Sequence, residues 1–236
     1  MATMNEMLSG CKGQVKWASE IFDKFSHEAT EDLASIIHPS SYPAKMVLFS
    51  ENEPSKHVFM VLDGEVKLSM NSSDGKRLIL RIAKTGEVVG LASAFTGNPY
   101  EMTAETLYPC VLACIERREY MSFLTRHPEA YQSLTEELGR QLTMACEQLR
   151  TVALSSSAPE KLARLLLDWS KDGQTTDSGA RFRFCLTHEE VGEFIGTSRE
   201  TVTRTLQVFK SLRLVTSHGS TLSIPSRTAL ESYTAA

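Results

Sequence analysis

Between Tyr131 and Val152 the apolar residues fall on Tyr131, Leu134, Leu138, Leu142, Ala145, Leu149 and Val152, in steps of three and four. At 3.6 residues per turn, this spacing draws one narrow stripe along a single long helix. Gly139 interrupts it at a cost of ~1 kcal/mol against alanine. Two arrangements satisfy such a stripe: packing on a neighbouring domain only, or pairing with a second helix. Its length and narrowness favour pairing with a second copy. Leu134, Leu138, Leu142, Ala145 and Leu149 are then the dimer seam.

On either side of this helix the hydrophobic period differs. From Tyr42 to Glu116 the pattern is β: Val58–Leu62 is a short apolar run, Asp63-Gly64 follows, and Val66 to Met70 alternates apolar and polar. Asp74-Gly75 and Leu78–Leu80 come next, with Gly86, Gly90 and Gly97 as further punctuation. Asp-Gly between such runs predicts tight hairpins, because the turn needs positive φ. Many short strands with frequent turns predict a β-roll of the jelly-roll kind. Behind the helix, Ser155 to Pro159 reads as a hinge and Pro159 to Lys171 as a helix. Asp172 to Ala180 reads as a polar loop, and Phe182, Phe184 and Leu186 as a strand. The fold class is therefore α+β, divided into a β-roll over 20–127, a dimerisation helix over 128–154 and a further domain over 155–230.

Several classes drop out on bulk properties. No stretch approaches the ~20 apolar residues of a membrane span. Met1 to Gly10 lacks a basic start and an apolar segment, so no secretory signal is expected and the cytoplasm is the default location. Cys11, Cys110, Cys114, Cys146 and Cys185 are scattered, with no C-x-x-C pair, and read as reduced thiols. The net charge of −4 hides an asymmetry. Between Gly196 and Arg227 stand five basic residues (Arg199, Arg204, Lys210, Arg213, Arg227) and one acid, Glu200, a net +4 that leaves −8 for the remainder. A basic patch on an acidic body is the footprint of a nucleic-acid reader.

The patch coincides with a motif, LTHEEVGEFIGTSRETVTRTLQVFKS, from Leu186 to Ser211. Thr187 and Glu190 have capping-box spacing and open a helix. Val191, Phe194 and Ile195 form its apolar face, and Gly196 allows the left-handed residue of a sharp turn. Thr197 or Ser198 then caps a second helix, in which Val202, Leu206, Phe209 and Leu212 are the buried set. Ser198, Arg199, Thr201, Thr203, Arg204, Thr205 and Gln207 lie outside that set, leaving a donor-rich face. Two short helices joined at a glycine, with such a second face, describe a helix-turn-helix. Leu214 to Pro225 reads strand, turn, strand, a wing in which His218 is a turn residue near phosphate.

Thr197 to Arg204, TSRETVTR, together with Ser217-His218-Gly219, resembles the DNA-binding domain of the CRP/FNR superfamily of bacterial regulators. The order of β-roll, long helix and winged helix-turn-helix is similar as well, over about Phe22 to Ile224. The resemblance implies a homodimer on double-stranded DNA that also contacts RNA polymerase. It implies that Arg199, Glu200 and Arg204 touch base edges. Arginine pairs bidentately with guanine, and glutamate accepts from cytosine N4. Thr187, Ser198, Thr203, Lys210 and His218 complete the expected DNA-binding set. With Arg199 present, the expected half-site resembles TGTGA in an inverted repeat, rather than the TTGAT of relatives with an apolar residue there.

The sensor half departs from the cyclic-nucleotide branch, which the resemblance associates with a glutamate, an arginine and a serine around ribose and phosphate. Leu91 stands near the glutamate position, and Tyr100 and Glu101 near the arginine and serine. Ala145 and Cys146 stand where adenine-contacting hydroxyls are expected. These five form a degenerate effector pocket. A carboxylate repels phosphate and no arginine lies between Arg81 and Arg117. Cyclic AMP is not the expected effector. The alternative is a regulator of the same fold controlled by a cyclic nucleotide or another small ligand. An iron–sulfur cluster needs several N-terminal cysteines, and Cys11 stands alone. His57 reads as a surface histidine rather than a haem ligand, and as the single histidine between Tyr42 and Glu116 it cannot make a cupin-type metal site. No cofactor, no metal and no enzymatic activity are expected.

Overall fold

The computed structural model describes residues 25–155, 157–175 and 179–234. Cys11 lies outside them. The described residues divide into two compact units, 25–70 with 80–145, and 71–79 with 146–234.

In the first unit, helix α1 (His27–Ile36) is capped by the Ser26 hydroxyl, which accepts from the Ala29 amide. Eight strands follow: β1 (Pro39–Tyr42), β2 (Val47–Phe49), β3 (His57–Asp63), β4 (Glu65–Asn71), β5 (Arg77–Lys84), β6 (Val88–Val89), β7 (Thr103–Thr106) and β8 (Cys110–Glu116). Between β6 and β7 lies the short helix α2 (Leu91–Thr96). The strands make two four-stranded sheets, ordered β1-β8-β3-β6 and β2-β7-β4-β5. This is the expected roll, with one correction. Asp63-Gly64 does not close a hairpin, because β3 and β4 lie in different sheets. Gly64, at φ 97°, carries the chain from one sheet to the other, and a Cβ there would sit 2.6 Å from Cys110 Sγ. Val58 to Leu62 are all buried, which removes the alternation a two-sided hairpin strand would show. Asp74-Gly75 does turn β4 into its sheet neighbour β5, with Gly75 at φ 82°.

Two apolar clusters fill this unit. One joins Leu33 of α1, Met60 and Leu62 of β3, Leu91 of α2 and Ile115 of β8. It is completed by Phe123 and Leu124 from α3 (Arg117–Arg126) and by Leu134 from the long helix α4 (Pro128–Leu154). The other lies between the sheets, around Phe49, Phe59, Val61, Val66, Leu68, Tyr100 and Leu112.

The second unit begins with the end of α4. Gln148 is buried, and its amide donates to the Ile79 and Phe194 carbonyls. Helix α5 (Ala158–Trp169) is capped by Ser157 and followed by a 3-10 turn, Ser170–Asp172. The stretch read as a polar loop contains a short strand, β9 (Gln174–Thr175), paired with β10 (Ala180–Arg183). Two residues are too few for a periodic signal, and the pairing partner fixes them. Helices α6 (His188–Ile195) and α7 (Arg199–Ser211) come next, then β11 (Thr216–His218), β12 (Thr221–Ile224) and α8 (Arg227–Glu231). The sheet order is β11-β12-β10-β9.

Candidate nucleic-acid interface

Local chemistry sets the two helices of the motif. Thr187 accepts from the Glu190 amide, and the Glu190 carboxylate returns to the Thr187 amide at 2.9 Å, the reciprocal cap that the sequence predicts. Gly196 ends α6 at φ 65°, where a residue with a Cβ is strained. Ser198 caps α7, accepting from the Thr201 amide at 3.2 Å. Gly192 is a requirement the sequence reading missed: a Cβ there would stand 2.7 Å from the Thr197 carbonyl oxygen, backbone against backbone. It is glycine because α6 and the turn touch there, and a glycine inside a helical pattern is the signal.

Val202, Leu206 and Phe209 of α7 are buried as expected, but Leu212 is 54% exposed. It caps the helix end, past the point where α7 rests on its neighbours. Thr205, read as outward, is buried and donates to the Thr201 carbonyl at 2.8 Å, so its hydroxyl is satisfied within the helix.

Arg199, Glu200 and Arg204 are exposed, and Thr203 is half-buried. Positions i, i+1, i+4 and i+5 lie within ~140° of one another on a helix, so these four share a face. Glu200 stays ionised: its own backbone amide, the Ser198 hydroxyl and the Arg199 and Arg204 charges hold its carboxyl below the usual range. The face thus offers two guanidinium groups with one carboxylate between them, a mixed donor and acceptor set suited to base edges. Lys210 is exposed at the far end of α7, where the dipole favours a cation. His218, fully on the surface, is the last residue of β11 and pairs with Thr221 across the wing. Gly219 at φ 58° makes the wing's turn.

Residues 39–127 match the model of the cyclic nucleotide-binding domain, and residues 160–233 that of the Crp-like helix-turn-helix domain. The chain belongs to the CRP/FNR superfamily of bacterial transcription regulators. It is 28% identical over 186 residues to the cAMP-activated global transcriptional regulator CRP of Haemophilus influenzae, covering 78% of this chain and 83% of that protein. It is 27% identical to the CRP-like cAMP-activated regulator of Mycobacterium tuberculosis, over 80% of this chain and 84% of the other. Among solved structures, FixK2 from Bradyrhizobium japonicum superposes with a TM-score of 0.75 at 21% identity, covering 85% of this chain and 98% of that one. The c-di-GMP responsive global regulator CLP of Xanthomonas campestris gives 0.73 at 21%, covering 84% and 99%. Like its relatives, this CRP/FNR chain is a transcription regulator with a helix-turn-helix DNA-binding domain.

The effector-pocket positions fall in different places. Leu91 is buried in the cluster with α1 and α3, and Tyr100 is buried between the sheets. The Tyr100 ring lies 3.8 Å from that of Phe49 at an interplanar angle of 16°. Its hydroxyl donates to the His57 carbonyl at 2.7 Å and accepts from the His57 amide at 3.1 Å. The Glu101 carboxylate accepts from the Ser93 hydroxyl. Ala145 and Cys146 are exposed on α4.

The expected dimer seam divides too. Leu142 is 67% and Leu149 66% exposed, and Ala145 is open beside them. Leu134, at 2% exposure, is already buried in the chain's own core, and Leu138 packs against that core. They are removed from the seam: the stripe keeps one azimuth within ~80° along α4, but the core of the β-roll unit covers only its first part and leaves the second part open.

Proposed function

We propose that this CRP/FNR regulator acts as a homodimer that binds an inverted repeat with TGTGA-like half-sites, without needing cyclic AMP. The observation that carries the DNA reading is the face of α7 on which Arg199, Glu200 and Arg204 stand exposed together. Arginine bidentate to guanine and glutamate on cytosine supply the G·C steps of the half-site. The dimer is supported by Leu142 and Leu149, large apolar side chains left open on α4. Two-fold symmetry then places half-site centres about one helical turn apart, ~10–10.5 bp.

Independence from cyclic AMP is supported by the fate of the roll's guanidinium groups. Tyr100 fills the position the family gives to arginine. The Arg81 guanidinium is engaged by the Glu87 carboxylate, and Arg117 donates to the Ala94 carbonyl at 2.6 Å. Glu101 adds a negative charge where a phosphate would lie. Contact with RNA polymerase and a cytoplasmic location belong to the same proposal, as consequences of the role. In-vitro selection from random duplexes tests it. A two-fold-symmetric winner with TGTGA-like halves is expected. A non-palindromic winner, or half-sites without the guanine assigned to Arg199, would overturn the assignment.

A further inference from the structure

His188, the first residue of α6, places its ring nitrogen Nδ1 2.8 Å from the Thr203 hydroxyl on α7. The same hydroxyl donates to the Arg199 carbonyl at 2.9 Å. A threonine hydroxyl has one proton. With that proton on the Arg199 carbonyl, the hydroxyl can only accept from His188, so Nδ1 must carry a hydrogen. The other nitrogen, Nε2, has no hydrogen-bond partner among the described residues and, in the neutral ring, no proton. A chain of two hydrogen bonds therefore runs from the first helix of the reader to the residue expected to read guanine, and it fixes the tautomer of a half-buried imidazole at the reader's edge.

We propose that His188 is a DNA-backbone contact of this reader that works only when protonated, with Thr203 as the residue that positions it. This rests on the DNA reading above. Neutral, Nε2 presents a lone pair that repels a phosphate oxygen. Protonated, it presents an N–H and a positive charge. Other charges border the ring on both helices: Glu189 and Glu190 on α6, with Glu190 committed to the Thr187 cap, and Arg199, Glu200 and Arg204 on α7. On α5, which packs against α6 and α7, Glu160 and Arg164 pair with each other. Histidine is the side-chain type whose charge changes between pH 5 and 8, outside the ordinary carboxylate range.

The test measures binding to two duplexes, one with TGTGA half-sites and one of random sequence, at pH 5.5 and pH 8 across a salt series. Each added phosphate contact adds ~0.9 to the salt slope, and a dimer adds two, so the slope rises by ~1.8 and binding tightens about 60-fold in ~0.1 M salt at the lower pH. That gain is expected on both duplexes, because the backbone carries no sequence. With the wing's own imidazole removed by His218→Gln in both proteins, His188→Gln should abolish this gain, while His38→Gln, outside the reader, leaves the wild-type ratio between the two pH values unchanged. His188→Arg should bind at pH 8 as wild type does at pH 5.5, which guards against a His188→Gln effect caused by misfolding. Nitrogen-15 spectra at pH 8 should show the His188 proton on Nδ1. A wild type with equal affinity at both pH values, an undiminished pH response in His188→Gln, or a neutral ring with its proton on Nε2 would overturn the inference. A wild type that binds neither duplex at either pH counts instead against the DNA reading beneath it.

Discussion

Arg199 and Lys210 are eleven residues apart on α7, about three turns and ~16 Å, on nearly the same azimuth. The same face therefore carries one cation among the threonine and serine hydroxyls of the helix start and another, Lys210, exposed at its far end. Their losses should differ in kind. Arg199→Ala is expected to cost ~1–3 kcal/mol on the preferred site and to relax the choice at one guanine, read by competition with single-base variants of the duplex. Lys210→Ala should weaken all sequences alike and flatten the salt dependence by about one phosphate per protomer, two for the dimer, read as the slope of log K on log salt. The reading face was legible because hydrogen-bonding side chains on an amphipathic helix declare their azimuth by position alone. His188 was not, since a bond to a residue fifteen positions away leaves no periodic trace. A different, half-buried network sits in the β-roll unit. Burial acts to raise the Asp32 carboxyl, but hydrogen bonds from His127 and Arg126 outweigh it and hold it below the usual range. A carboxyl depressed in the folded state stabilises above its unfolded value of ~3.9 and loses that contribution as pH falls through the folded one. Asp32→Asn should therefore lower the melting temperature at neutral pH, and the gap from wild type should close in strong acid.

At the scale of elements, α4 shows what a period conveys and what it hides. The steps of three and four from Tyr131 to Val152 gave one helix, and the helix runs Pro128–Leu154. They did not reveal that Leu134 packs into the chain's own core while Leu142 and Leu149 are left open, because a stripe at one azimuth says nothing of how far along the helix that core reaches to cover it. The same limit explains Asp63-Gly64. A glycine at positive φ is a turn in either case, and only the pairing of β3 with β8 and of β4 with β7 shows that the turn joins two sheets. Caps were the most legible features: Thr187 with Glu190, Ser198 and Gly196 act within four residues, where sequence and space coincide. The seam that remains makes a sharp prediction. Leu142 and Leu149 are each worth ~1.5–3 kcal/mol if a second helix covers them fully. Leu142→Asp, which puts a charge on a face now two-thirds exposed, should leave the monomer's fold intact by circular dichroism. It should abolish both the dimer, read by sedimentation, and specific DNA binding. A wild type that sediments as a monomer at micromolar concentration while still footprinting DNA would sink the proposal.

For the whole molecule the open matter is what governs the reader, and the roll interior gives physical grounds for a prediction. A phosphate held inside a protein needs a donor that replaces its water, and a guanidinium does so through two parallel bonds. Tyr100 supplies neither charge nor a free donor, because its hydroxyl is spent on the His57 backbone and its ring lies flat on Phe49. Gly90 tightens this arrangement. At φ 80° it passes so close that a Cβ would meet the Tyr100 ring at 3.1 Å and the His57 carbonyl at 3.3 Å. Admitting a nucleotide phosphate there would mean breaking two hydrogen bonds, parting a pair of stacked rings and placing a second negative charge beside Glu101. Buried polar groups left unpaired cost ~1–3 kcal/mol each, before any charge repulsion. Calorimetric titration with cyclic AMP should therefore show no binding at micromolar concentrations, and the affinity for the TGTGA duplex should be unchanged by the nucleotide. Heat of binding at those concentrations, or tighter DNA binding with cyclic AMP present, would mean that Tyr100 moves aside and that the roll retains a nucleotide site. Tyr100→Phe separates the two contributions of the tyrosine: it keeps the stack on Phe49 and removes the bonds to His57. If the hydroxyl holds the closed arrangement, this variant should melt at a lower temperature than wild type and still fail to bind cyclic AMP, because no cation has been put in its place.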